Sequence, residues 1–194
     1  MAKARPVSRL PGATYALSDT GPLISAFQSQ SFTLLTQVFA EVHISPACLA
    51  ELIKHGWENE VRAASSTLMI VNVTPSEQRR ALVVARRIAQ HPATNDRIAA
   101  NHLGEAEVIV LALRAEYRNA VLLLDELAAR DIAKHMKVRL SGFPGLLLLA
   151  VQGNLITAEE LKHRLERCRQ QGTHYGMTFI KQVYEMAKNM RRIR

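Results

Sequence analysis

The segment Val121-Leu122-Leu123-Leu124 places four apolar residues in succession and stops at Asp125. A strand with one face in water alternates apolar and polar side chains, so a strand apolar on both faces belongs inside a covered sheet. Sheets of that kind are parallel, and their strands are joined by helical crossovers. The rest of the chain supplies the alternation. Tyr15-Ala16-Leu17-Ser18 reads as a strand ending at Asp19, and Thr20-Gly21-Pro22 as a helix start with Thr20 as N-cap. Glu41-Val42-His43-Ile44-Ser45 alternates as a strand does, and Ser45-Pro46 opens a helix through Cys48, Leu49, Leu52 and Ile53. A third strand is expected at 68–73. Thr74-Pro75-Ser76-Glu77 is a capping box that starts a helix to about Gln90, closed by His91-Pro92. Gly104-Glu105 begins a helix with Val108, Leu111 and Ala112 at helical spacing. A helix at 126–136, a strand at 138–140, a capped helix from Thr157 to Gln171 and a last helix at 178–189 follow. The pattern predicts an α/β fold whose parallel sheet is covered on both faces.

Composition narrows the classes. The chain has 194 residues, 48% of them hydrophobic, which suits one domain with a full core. Two cysteines, Cys48 and Cys168, make neither a disulfide framework nor a structural zinc site, so a reducing, cytoplasmic setting is expected. The longest apolar stretch, 143–151, is too short to span a membrane, and no apolar signal region follows the basic start. The net charge of +8 is unevenly spread. Residues 1–18 hold three basic residues and no acid, and 162–194 hold nine basic and two acidic. The intervening 19–161 carries thirteen basic against fifteen acidic residues, so the basic character belongs to the ends. Residues 1–13 read as a loose basic arm, and 158–194 as a basic helical extension packed on the domain or at a dimer interface.

Asp19 and Asp125 each follow a strongly apolar strand. In an open parallel sheet the crevice beyond the carboxyl ends of the strands is where ligands bind. Glu51 lies early in the helix after the second strand, and Glu105 at the start of its own helix, where a carboxylate is favoured. Four such acids repel unless some are protonated or a cation binds among them. Oxygen ligands without His or Cys suit Mg²⁺ or Mn²⁺, which can activate water for attack on phosphorus. Simple helix capping would also place aspartates at these two points.

The residues that carry these acids resemble a known family. SDTGPLISAF at 18–27, HISPACLAEL at 43–52, LGEAEVIVLAL at 103–113 and LLLDELAAR at 122–130 stand in the order of a PIN-like domain. VRLSGFPGLLLLAVQGNLIT at 138–157 is similar to the end of the bacterial and archaeal subgroup related to VapC-type toxins. The resemblance covers about 14–157. It implies a three-layer α/β/α domain with a Mg²⁺- or Mn²⁺-binding acidic pocket that cleaves RNA, with Asp19, Glu51, Glu105 and Asp125 as its four acids. It implies RNA as substrate and the role of toxin in a toxin–antitoxin pair, so an antitoxin protein and a second copy of the chain are the expected protein partners. A non-catalytic PIN-like module binding nucleic acid or protein is the alternative. Two departures stand out. Gly21 occupies the place of a Ser or Asn common two residues after the first acid, and Glu126 falls where the subgroup often has a second acid beside Asp125.

Other residues hold lesser places. Thr20 and Glu126 are supporting candidates, and Glu107 joins them only behind Glu105, because two residues along a helix is about 200° of rotation. Arg79, Arg80, Arg86 and Arg87 lie opposite an apolar stripe of Ala81, Val84, Ala85 and Ile88. Arg79 and Arg86 are candidate RNA-phosphate contacts, and a solvated face explains the ridge as well. Arg130, one turn beyond Asp125, could hold a phosphate or pair with Glu126. Asp131 and His135 at i, i+4 read as solvated rather than as metal ligands.

Overall fold

The computed structural model describes residues 15–191. The arm at 1–13 lies outside them. Five strands form one parallel sheet: β1 (Tyr15–Ser18), β2 (Glu41–Ile44), β3 (Leu68–Ile70), β4 (Val121–Leu123) and β5 (Leu140–Ser141), in the order β3-β2-β1-β4-β5. From β1 the chain moves outward to β2 and β3, then returns to β4 and β5 on the other side. The direction of winding therefore reverses between β1 and β4, which opens a crevice at their carboxyl ends. Ser18 is in register with Leu123, and the Asp19 N–H donates to the Leu123 carbonyl at 3.0 Å. Asp19 and Asp125 thus leave neighbouring strands at nearly the same height.

The helices are α1 (Thr20–Gln28), α2 (Phe32–Val38), α3 (Pro46–Lys54), α4 (Glu58–Ala63), α5 (Pro75–Gln90), α6 (Leu103–Leu111), α7 (Leu127–His135), α8 (Phe143–Gln152), α9 (Ala158–Gln170) and α10 (Met177–Arg191). Helices α5, α6 and α7 pack together as one layer, and α1, α2 and α8–α10 as the other. The fold is a three-layer α/β/α sandwich with a central parallel sheet. Leu17 and Leu122 are fully buried between the layers, as the unbroken apolar run of β4 requires. Helix α3 touches both α1 and α6, which carries its side chains across the crevice.

Several expected boundaries shift for visible reasons. Asp19, not Thr20, caps α1, accepting the Gly21 N–H. The strand expected at 68–73 ends at Ile70, because Arg114 draws the chain away by donating to the Asn72 carbonyl and to Glu77 at the start of α5. The strand expected at 138–140 is shifted to Leu140–Ser141. The stretch 143–151, to which the sequence reading gives no element, is the buried helix α8. Both capping boxes stand as expected, at Thr74/Glu77 and Thr157/Glu160. Helices α9 and α10 put Leu161, Leu165, Ile180 and Ala187 into the main core, against α8.

Candidate active site

The crevice opens into a cleft of about 1020 Å³ lined by Glu51, Glu105, Asp125 and Glu126, with Asp96 on its rim loop. Asp19 lies beneath it at 5% exposure. Gly104 marks the meeting point. A Cβ there would sit 3.1 Å from Asp19 Oδ1 and 3.3 Å from Glu51 Oε2, so the absent side chain leaves two carboxylate oxygens and the start of α6 facing one small space. The acid that follows β1 and the acid on α3 meet here, Glu105 on α6 lies close enough for its charge to act on Asp19, and Asp125 lines the same cleft from the end of β4.

Each acid has its own support. The Thr20 hydroxyl donates to Glu51 Oε2 at 2.8 Å, joining the first and second acidic segments. Asp125 does not cap the helix that follows it; Glu126 does, accepting the Ala129 N–H. Asp125 Oδ1 instead accepts the Phe143 N–H at the start of α8, and Oδ2 accepts the Tyr175 hydroxyl at 3.0 Å. Gly142 is required beside it, since a Cβ there would collide with Asp125 Oδ1. Glu105 is the least supported. Its Oε2 is buried without a hydrogen-bond partner, and Oε1 lies 3.6 Å from His102 Nδ1, which also lacks one.

Burial pushes the Asp19 carboxyl well above its ordinary value, and the charges of Glu105 and Glu51 push it further. Glu105 rises to about 7, chiefly by burial and then through Glu51, Glu126 and Asp96. Asp125 is raised by burial but held back by Phe143, Tyr175 and Arg130. Acids packed in a low-dielectric site resist ionising together, and a bound cation is one way such charge can be offset. Among the described residues, no three His, Cys, Asp or Glu side chains are already gathered as a ligand set.

The remaining candidates fall outside this centre. Glu107, 4% exposed, turns away from Glu105 and accepts the Ala47 N–H at the start of α3, so it holds the helix that bears Glu51. Arg130 does not pair with Glu126: its Nη1 donates to the Leu124 and Ser141 carbonyls and staples β4 to β5. Arg79 and Arg86 are exposed on α5, and neither they nor Arg130 line the cleft. Asp131 accepts from His91 at 3.3 Å, with His135 solvent-facing beside it. Lys54, His55 and His174, which also line the cleft, escape a sequence reading because they come from a helix end and a distant loop. Gly104 had a signal, a glycine directly before an acid at a helix start. Tyr175 had none.

A family model for the PIN domain matches residues 15–189. The chain belongs to the PIN-domain family. The match runs through α9 and most of α10, and membership points to a nuclease-type function. PIN domains typically use divalent metal ions, in keeping with the oxygen-only acids gathered here. No curated protein matches the chain.

Proposed function

We propose that this PIN domain is a Mg²⁺- or Mn²⁺-dependent endoribonuclease and the toxin of a toxin–antitoxin pair. The observation that carries the reading is the meeting of Asp19 and Glu51 carboxylate oxygens at the space left by Gly104, with Glu105 and Asp125 lining the same cleft. The residues fit a divalent cation: the donors are hard oxygens, and Glu105 Oε2 is a buried acceptor with no partner in the protein. Asp19, Glu51, Glu105 and Asp125 would hold it. When bound, the ion supplies activation of a water and neutralises charge gathering on the phosphodiester.

The chain's own residues prepare the rest. Thr20 orients the Glu51 carboxylate, and the start of α8 with Tyr175 fixes both oxygens of Asp125. Burial raises the Asp19 and Glu105 carboxyls, so protons compete with a cation for these oxygens and loading strengthens as pH rises. Lys54 and His174 line the cleft where phosphates flanking the scissile bond would lie; Arg79, Arg86 and Arg130 would reach RNA only beyond it.

Replacing Asp19 or Asp125 with Asn should abolish Mn²⁺-dependent cleavage of RNA while leaving the circular dichroism spectrum unchanged. Undiminished cleavage by both variants overturns the assignment. The toxin role predicts that inducing the chain in the cytoplasm arrests growth and that Asp19→Asn relieves the arrest. A non-cleaving nucleic-acid- or protein-binding module is the second reading, favoured by Gly21, which leaves an unfilled space 3.8 Å from Asp19 Oδ2. Salt-sensitive RNA binding without Mn²⁺ uptake in titration calorimetry would decide for it.

A further inference from the structure

The loop between α9 and α10 reaches back to the catalytic end of the sheet. Gln28, at the end of α1, fastens it: Gln28 Nε2 donates to the Gln171 carbonyl, Gln171 Nε2 donates to the Gln28 carbonyl, and Thr173 Oγ1 donates to Gln28 Oε1 at 2.6 Å. Gly172 turns the chain at φ +96°, a conformation that favours glycine. Arg164 of α9 adds bonds to the Ser29 and Gln30 carbonyls and to Ser31 Oγ. The anchored loop projects His174 into the cleft wall and seats the Tyr175 ring on Phe179, 5.8 Å between centroids.

The Tyr175 hydroxyl stands between Asp125 Oδ2 at 3.0 Å and Ser25 Oγ at 3.2 Å. An ionised carboxylate only accepts, so the single phenolic proton goes to Asp125 and Ser25 donates to the phenolic oxygen. Ser25 is buried on α1, the helix that Asp19 caps. One hydroxyl therefore ties the fourth acid to the helix of the first. With the Phe143 N–H on Oδ1, both Asp125 oxygens are fixed while each keeps a lone pair for a cation.

We infer that Tyr175 is a positioning residue for Asp125, and that the α9–α10 hairpin is thereby part of the catalytic apparatus. The inference rests on the metal-dependent reading for its catalytic consequence and on hydrogen-bond geometry alone for the coupling itself. Residues that hold a ligating carboxylate change metal affinity or activity about 10- to 100-fold when lost. Removing only the hydroxyl leaves the ring stack in place.

The test uses the full chain as wild type, Tyr175→Phe, Asp125→Asn and the double variant. In Tyr175→Phe, Mn²⁺ affinity by calorimetry and kcat on RNA should each fall about tenfold or more, with KM within about twofold. In urea unfolding without metal, the two substitutions together should destabilise less than their separate effects combined, because they remove one shared bond. Unchanged affinity and kcat overturn the inference even if the unfolding effects are coupled, since Tyr175 is then a fold contact only. If wild type neither binds Mn²⁺ nor cleaves RNA, the metal-dependent reading fails by itself. The unfolding cycle then reads the contact alone: coupled effects leave Tyr175 as a fold contact of Asp125, and neither result keeps the hairpin as part of a catalytic apparatus.

Discussion

Glu105→Gln should make the metal-free protein more stable at pH 8, although it removes a proposed metal ligand. The Glu105 side chain is 12% exposed, its Oε2 has no partner, and burial with three neighbouring acids raises it to about 7 from 4.5. A carboxyl raised on folding binds its proton more tightly in the native state, so it favours folding below the unfolded value. That contribution is lost as pH rises from about 4.5 through about 7. Across this window the charge on Glu105 costs about 3 kcal/mol of stability at about 1.4 kcal/mol per pH unit. Gln keeps the shape and never ionises. It can also donate to His102 Nδ1, which is unpaired because Nε2 faces the Asp96 carbonyl. In urea unfolding with EDTA, the variant should match the parent near pH 4.5 and exceed it by up to about 3 kcal/mol at pH 8, or roughly 6–12 °C in Tm. Taking the variant-minus-parent difference cancels groups common to both. A gain that is absent at pH 8, or equal at both pH values, refutes the reasoning. Millimolar Mn²⁺ should reverse the order at pH 8 by stabilising the parent alone.

Gly104→Ala gains helix propensity of about 1 kcal/mol but puts a methyl group 3.1 Å from Asp19 Oδ1 and 3.3 Å from Glu51 Oε2. Calorimetry should show Mn²⁺ affinity falling at least tenfold, with thermal stability within about 1 kcal/mol of wild type. Glu107→Ala strips the start of α3 of a buried acceptor and should cost about 1–3 kcal/mol in chemical denaturation. Activity in that variant should fall because Glu51 rides on α3. Lys54→Ala should raise KM for RNA and reduce its salt dependence, while Arg79→Ala, away from the cleft, should change both less.

The sheet was legible because burial on both faces leaves a periodic record: the run 121–124, the alternation in β2 and two capping boxes each state one local requirement. Helix α8 was not, since Phe143–Gln152 is apolar on nearly every side, so the sequence carries no period although only one face, Phe143, Leu146, Leu147, Ala150 and Val151, is buried. Thr20 was placed one position late as a cap, because Asp19 and Thr20 are both good caps and only the backbone distinguishes them. At the site, the four acids could be named because each sits at a strand end or helix start. Their supports could not. Tyr175 lies fifty residues beyond Asp125 and meets it only through the folding of α9 and α10 against α8. The two readings open for Arg130 both assumed that its nearest neighbours in sequence decide its role, whereas two carbonyls at the ends of adjacent strands claim it.

An acidic cleft repels a polyanion, and the fifteen acids of 19–161 outnumber the basic residues there. On the proposed reading, attraction of RNA at a distance would come from the basic ends and the exposed arginines of α5, and Lys54 would meet it at the cleft. The proposed divalent cation would resolve the conflict locally, because it would offset two charges where burial and mutual repulsion raise Asp19 and Glu105. RNA affinity should accordingly respond to metal in a way that a purely basic surface would not. Adding Mn²⁺ should strengthen binding of RNA to wild type at fixed ionic strength and leave binding to Asp19→Asn unchanged. Equal strengthening of both would show the ion acting on the RNA alone, and the acids would lose their part in substrate capture.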